Sequence, residues 1–425
     1  MARRATSRAV TALLAAALLA PAGAVAASEA PGRAKASQSS LASQLASAMR
    51  SAGSSSGAYV LNSSTGRRIF RKRSATPRIL ASNTKLFTTA AALAQYGVEG
   101  RLNTSVRGTG ALSAEGVFRG DLYLVGGGDP TFGSSTFTRR AYGSGATVQA
   151  LASKLEDVGI RRVTGRVYGD ESRFDSLRGG PDSGYRISPY VGPLSALAYN
   201  RGLASEDGSG YQASPAGFAA SALTSALRAR GVRVTGAPRA KTAPSGTEEL
   251  ATAESPTMTR LAALTNKPSD NFFAEMLLKD LALSTRRRGT TVAGASLATS
   301  FAARLGARPT RLADGSGLSR ANRATPARVV ALLRAMQRRD EFDEFYSSLS
   351  IAGRDGTLGP RLRSGPARGN CRGKTGTLSN VSALSGYCRA RSGDTYVFSI
   401  LMNNVNPFGA RQLQDRMAQA IAGVR

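Results

Sequence analysis

Apolar positions recur along this chain at two spacings, and the switches between them divide it into stretches. Leu41, Leu45 and Met49 repeat at helical spacing. Ala58-Tyr59-Val60-Leu61 then reads as a strand, a Ser-Ser-Thr-Gly turn follows, and Arg68-Ile69-Phe70 is its hairpin partner. A second helix is expected to open at Ser82, run through Leu86, Phe87, Ala90 and Leu93, and stop before Gly97. From about residue 97 to 255 the pattern becomes short alternating strands with glycine-rich turns. Within it, Ala150 to Val167 is echoed by Ala222 to Arg239, each a helix, a glycine stop and a strand, which predicts an internal duplication. Helical spacing returns at Leu261, Leu264, Phe272, Phe273, Met276 and Leu277, and again from Pro326 to Arg338. Strands are expected over 371–377, 383–389 and 395–402, then a terminal helix with Leu413, Met417, Ala420 and Ile421 on one face. The pattern predicts an α+β unit formed by 41–96 and 256–425, with an antiparallel sheet between helices and residues 97–255 inserted as an accessory domain.

Ahead of Leu41 the chain carries Arg3, Arg4 and Arg8, an apolar run from Ala9 to Ala20, Pro21 and the small triplet Ala24-Val25-Ala26. This predicts a secretory signal peptide over 1–26. Residues 27–40, rich in Ala, Ser, Gly and Pro, read as a linker. No later stretch approaches a membrane span, so a secreted, cell-wall-associated protein is expected. Export gives the two cysteines a meaning: if a hairpin turns at Ser379-Asn380, Cys371 and Cys388 lie directly opposite and can form a disulfide, the alternative being two unlinked buried thiols.

Formal net charge is +30, with 57 Lys and Arg of which only eight are lysine. The basic residues are scattered, Trp is absent and no aromatic residues interleave with them, which argues against nucleic acid and for an anionic envelope polymer as the partner of the surface.

The chain has no histidine. Ser-His-Asp and Cys-His machinery is therefore excluded, and the commonest zinc ligand is missing. Against that background three short patterns each occur once: Ser82-Asn83-Thr84-Lys85, Ser269-Asp270-Asn271 and Lys374-Thr375-Gly376-Thr377. Serine and lysine three apart on a helix share a face, so an amine can take the proton of a nucleophilic hydroxyl. Ser-Asp-Asn is also an ordinary helix cap, and Gly373-Lys374-Thr375 has Arg368 where a phosphate loop needs glycine. The ordered set carries the inference, since two of eight lysines fall in it.

With these residues the chain resembles the D-alanyl-D-alanine carboxypeptidase/endopeptidase family of the penicillin-binding protein 4 (DacB) type. Gly126-Gly127-Gly128-Asp129-Pro130-Thr131 and the loop Asp314-Gly315-Ser316-Gly317-Leu318-Ser319-Arg320 add to the likeness, as does the gap of 187 positions from Ser82 to Ser269. The resemblance implies a transpeptidase-like fold shared with β-lactamases, carrying an accessory domain in that gap. It implies peptidoglycan stem peptides as substrates, an acyl-serine intermediate on Ser82, β-lactams as covalent inhibitors, and no need of a metal or organic cofactor. Lys85 would be the base, kept neutral by burial and by the charge of Lys374. Ser269 would relay a proton, Asn271 would orient Lys85 and the substrate, and the Ser82 and Thr377 amides would form the oxyanion hole. Lys374, Thr375 and Thr377 would hold the terminal carboxylate, with the substrate added as a strand along 374–379 past Gly376. Leu318, Arg320, Leu378 and Ser379 would line the donor side-chain pocket, or else serve loop and sheet packing. A β-lactamase on the same scaffold and a non-catalytic penicillin- or wall-binding protein remain alternatives.

Overall fold

The computed structural model describes the backbone of residues 31–425 and the side chains of 38–425. The expected signal peptide and residues 27–30 lie outside the described residues. The rest of the expected linker is not one: helix α1 (Pro31–Arg50) begins ten positions before Leu41. Leu41, Leu45 and Met49 are buried. That docked face nucleates a helix, and the preceding Ala-, Ser- and Gln-rich residues extend it backward to a proline at its first position. Gln38 is buried as well and accepts a hydrogen bond from Arg67 Nη1 at 3.0 Å.

A six-stranded antiparallel sheet forms the middle layer. Its strands are β1 (Ser56–Asn62), β2 (Arg68–Lys72), β3 (Ser350–Ile351), β4 (Cys371–Leu378), β5 (Val381–Arg389) and β6 (Thr395–Asn403), in the order β3-β4-β5-β6-β1-β2. Alternation along the strands sends side chains to two cores. Ala383, Tyr387, Val397 and Leu401 pack with helices α2 (Thr84–Tyr96), α3 (Met258–Asn266), α4 (Asn271–Leu281) and α5 (Pro326–Met336). Leu384, Cys388, Phe398, Ile400 and Met402 pack on the other face, against α1 and the terminal helix α6 (Pro407–Ala422). The β4–β5 hairpin has Leu378 opposite Val381 and Cys371 opposite Cys388, and the two cysteines are joined in a disulfide. The hairpin turn at Ser379-Asn380 thus sets the register that brings the sulfurs together.

Residues 103–254 build two sheets of their own over a separate core that includes Val106, Leu122, Leu151, Leu155, Leu223 and Leu227. The two echoed segments are stacked copies. Helices Val148–Asp157 and Pro215–Ala229 each lead into short strands that pair in parallel, Arg162 with Arg233, Val163 with Val234, and Tyr168 with Arg239. No helix among the described residues is long and apolar enough to cross a membrane.

A serine, two buried lysines and an open strand edge

The first motif straddles a helix start. Residues 81–83 form a single 3-10 turn and α2 begins only at Thr84, so Ser82 sits on the turn before the helix, not in its first α-turn. Ala81, immediately before Ser82, has φ of 45°. A non-glycine residue in this left-handed region is strained, and such strain persists where surrounding contacts over-determine it. Those contacts are visible. Asn83 Nδ2 donates to the carbonyl of Lys374 at 2.9 Å, tying the turn to β4, and Thr84 Oγ1 donates to the Ala81 carbonyl at 2.9 Å. Two glycines permit the approach. A Cβ on Gly317 would stand 1.9 Å from the Ala81 carbonyl oxygen, and one on Gly376 would stand 3.0 Å from the Ser82 nitrogen.

Lys85 is fully buried on α2. Its ammonium nitrogen donates to Ser82 Oγ at 3.1 Å, Asn271 Oδ1 at 2.7 Å and the Ser316 carbonyl at 2.7 Å. Burial lowers its pKa to about 8, against the opposing pull of Asp314, Asp270 and Glu275. The expected help from Lys374 falls the other way. Lys374, also fully buried, is driven well below the ordinary lysine range by desolvation and then by the charge of Lys85. Three carboxylates favour charge on Lys85, whereas among the described residues the Lys374 amine donates only to its neighbour Thr375's carbonyl, at 3.1 Å. Of the two amines, Lys374 is the one that the other's charge pushes further down.

The second motif caps α4. Asp270 is the N-cap, its Oδ1 accepting from Phe273 N at 3.0 Å, which leaves Asn271 at the first helical position facing Lys85. Ser269, with φ of 64°, lines the cleft. Among the described residues no hydrogen bond joins its hydroxyl to Ser82, Lys85 or Lys374. The insert braces this cap. Arg201 forms a two-pronged ion pair with Asp270 at 2.7 and 3.2 Å and lies over Phe272 at 4.8 Å, while Asn271 Nδ2 donates to the Tyr190 carbonyl at 3.1 Å.

Strand β4 carries the third motif. Its neighbour β3 pairs only with Arg372 and Gly373, so among the described residues no strand partners the outer edge from Lys374 to Leu378. A cavity of about 950 Å³ opens along that edge, lined by Ser82, Ser269, Asn271, Leu318, Thr375, Gly376, Thr377, Leu378 and Ser379. Arg320 does not line it. It lies over the hairpin turn, hydrogen-bonded to Asn380 and, at 3.5 Å, to Ser379. Lys85 and Lys374 sit buried behind the lining. A neutral amine beside a hydroxyl, backbone amides at a strained turn and an open strand edge together suit acyl transfer from an extended peptide. Among the described residues no group of three or more His, Cys, Asp or Glu side chains is placed to hold a metal.

Sequence reasoning missed several residues of the cleft. Asp182 and Tyr190 come from an irregular glycine-rich stretch of the insert, which has no periodicity to mark it. Thr357 accepts from Thr375 Oγ1 at 2.7 Å. Phe408, Arg411, Gln412 and Asp415 line the far wall from α6. Their spacing of three, four and seven is a helical stripe opposite Leu413 and Met417, and that stripe is readable from sequence, although its destination is not.

The fold and these residues define the penicillin-recognising class of serine acyl-transfer proteins. The chain belongs to the D-Ala-D-Ala carboxypeptidase 3 (S13) family, whose model matches residues 37–207 and 209–424. It is 29% identical to a D-alanyl-D-alanine carboxypeptidase of Actinomadura sp. (strain R39), across 86% of this chain and 81% of that protein. In structure it is similar to penicillin binding protein 4 (dacB) of Haemophilus influenzae, with TM-score 0.74, 20% identity, and coverage of 88% of this chain and 97% of that one. That protein is also known in complex with a β-lactam, at TM-score 0.71, 19% identity and coverage of 88% and 97%. A predatory endopeptidase of Bdellovibrio bacteriovorus shares the fold at TM-score 0.56 and 20% identity, over 86% of this chain and 92% of that one.

Proposed function

We propose that the protein is an exported serine D-Ala-D-Ala carboxypeptidase that trims peptidoglycan stem peptides through an acyl-enzyme on Ser82. The observation that carries this reading is the fully buried Lys85 ammonium nitrogen, which bridges Ser82 Oγ and Asn271 Oδ1 with a pKa lowered to about 8. In the neutral state Lys85 accepts the Ser82 proton as Oγ bonds to the carbonyl carbon of the penultimate D-alanine. The tetrahedral oxyanion points at the amides of Ser82 and Thr377. Collapse breaks the carbon–nitrogen bond, the departing amine gains a proton through Ser269, and water then hydrolyses the ester to regenerate Ser82. The open edge of β4 supports the addition of the substrate as a strand. The family, and the β-lactam complex of the Haemophilus protein, support β-lactams as covalent inhibitors here. Residues 97–255 act as an accessory domain whose Arg201 and Tyr190 hold the Ser-Asp-Asn cap. The excess of basic residues supports an anionic wall polymer as a surface partner.

The test is intact-mass analysis with benzylpenicillin, wild type against Ser82→Ala, followed over time. A stable adduct of one drug molecule, absent in the variant, is expected. Rapid drug loss without an adduct would make the protein a β-lactamase, and neither adduct nor turnover would sink the catalytic reading.

A further inference from the structure

Glu275 is a fully buried carboxyl that the proposed reaction does not use. It stands one turn after Asn271 on α4, so both side chains project from one face of that helix. Asn271 meets the Lys85 amine directly, at 2.7 Å. Glu275 reaches a stretch of backbone instead, its Oε1 accepting from the amides of Gly315 and Ser316 at 3.1 and 2.8 Å.

That backbone is tied to α4 on one side and to α2 on the other. The peptide plane joining Gly315 to Ser316 has its N–H on Glu275 and its carbonyl on Thr88 Oγ1, which donates at 2.9 Å. The next plane has the Gly317 N–H on Asp314 Oδ1 at 2.8 Å and the Ser316 carbonyl on the Lys85 amine at 2.7 Å. The path has no slack, since a Cβ on Gly315 would stand 2.4 Å from the Ala274 carbonyl oxygen of α4. Peptide planes are rigid, so a plane fixed at both ends directs the carbonyl that follows it.

Packing alone does not account for a carboxyl here. Glu275 Oε2 is buried and has no hydrogen-bond partner among the described residues, and burying such a group is costly. Burial, and then the charge of Asp314 in the loop, raise the pKa of Glu275. Glu275 joins Asp314 and Asp270 in favouring charge on Lys85, which Lys374 faces from β4. On its own helix it acts also on Lys279, which Asp175 of the insert holds at 2.6 Å.

We propose that Glu275 is a positioning residue for acyl transfer: it turns the Ser316 carbonyl onto the Lys85 amine, faces that amine with a negative charge, and so holds it on Ser82 Oγ. This rests on the reading of Ser82 as nucleophile and Lys85 as base, and adds to it the group that aims the base.

The experiment measures acylation by benzylpenicillin across the pH range, and kcat and KM for a diacyl-Lys-D-Ala-D-Ala peptide, in wild type, Glu275→Ala and Glu275→Gln. Glu275→Ala frees both amides and should slow acylation by about 10- to 100-fold per folded molecule, with the loss in peptide cleavage falling on kcat and not on KM. Glu275→Gln keeps an oxygen for the amides and should acylate within a few-fold of wild type. Without the carboxylate the Lys85 ammonium is less favoured, so the rising limb of the glutamine variant's pH profile should move to lower pH by about half a unit. A role confined to stability would leave that limb in place. If Glu275→Ala does not fold, the glutamine variant decides alone. An unmoved limb in Glu275→Gln, or a Glu275→Ala variant that acylates at the wild-type rate or loses only KM, overturns the inference and leaves the carboxypeptidase reading intact. Failure of wild type both to acylate and to cleave the peptide overturns both.

Discussion

The catalytic unit and the insert keep their charges in opposite ways. In the catalytic unit Lys85, Lys279 and Lys374 are wholly buried, where an ammonium is costly unless paired or neutralised. Lys279 is paired, its ammonium 2.6 Å from Asp175 of the insert, while among the described residues Lys85 and Lys374 have no ion-pair partner, and both have lowered pKa values. In the insert the basic residues are mostly arginine and face water, with Arg162 and Arg233 side by side on paired strands. Burial tunes an amine for chemistry, whereas exposure keeps a guanidinium permanently charged for solvation or contact. The two regimes meet at α4, which the insert grips through Arg201 on Asp270 and Asp175 on Lys279.

The largest effect should come from removing the tuned amine. Lys85→Met keeps the volume and deletes the proposed base, and acylation of Ser82 by benzylpenicillin should slow by about 10³-fold or more with little change in thermal stability. Stopped-flow or mass-resolved acylation measures it. A loss below tenfold would mean that the buried environment of Lys85 is structural.

The intact protein should betray the same tuning through pH. Below its pKa of about 8, Lys85 is protonated and cannot accept the Ser82 proton. At pH 7 about one molecule in ten holds it neutral, and at pH 9 about nine in ten do, so the acylation rate should rise about tenfold between those values. A profile flat across that range would reassign the base.

How much of this was legible in the sequence depends on the range of the interaction. That Ser82, Lys85, Ser269, Asn271 and the Lys374 strand come together was readable because the three motifs each occur once and in a set order. The hairpin register was readable because side chains of paired strands oppose one another at a fixed sum of residue numbers, here shared by Leu378 with Val381 and Cys371 with Cys388. The surroundings that shift the two lysines were not readable: Asp314 and Glu275, which pull against the fall at Lys85, reach the site from distant elements. Arg201 and Arg411 were hidden for the same reason, and α1 was misjudged because linker-like composition is also good helix composition once one end is docked.

The grip of the insert on α4 predicts an intermediate effect. Arg201→Ala removes both prongs on Asp270 and the stack on Phe272, and the bared Asp270 is only partly exposed. Stability should fall by about 1–3 kcal/mol. The rate of acylation should also fall several-fold, because Asn271 follows the cap it sits on. A chemical denaturation curve and an acylation assay separate the two. A stability loss with unchanged acylation would show that the insert supports the fold without aligning the site.

The smallest effect, and the sharpest contrast, should come from an exposed arginine pair of the insert. Arg162 and Arg233 are register partners on parallel strands, both exposed, in a concavity whose lining includes Arg228 but no acid. Like charges on facing positions repel, and Arg233→Glu would replace repulsion by attraction, with a gain of about 0.2–1 kcal/mol. A small rise in melting temperature with unchanged kcat/KM is therefore expected. The same substitution within the catalytic cleft would be ruinous, since an added anion would repel the substrate carboxylate and raise the pKa of both lysines. If Arg233→Glu instead lowers activity on intact peptidoglycan sacculi while sparing a soluble peptide, the exposed arginines serve contact with the anionic wall, and the contrast between the two regions becomes one of tasks as well as of burial.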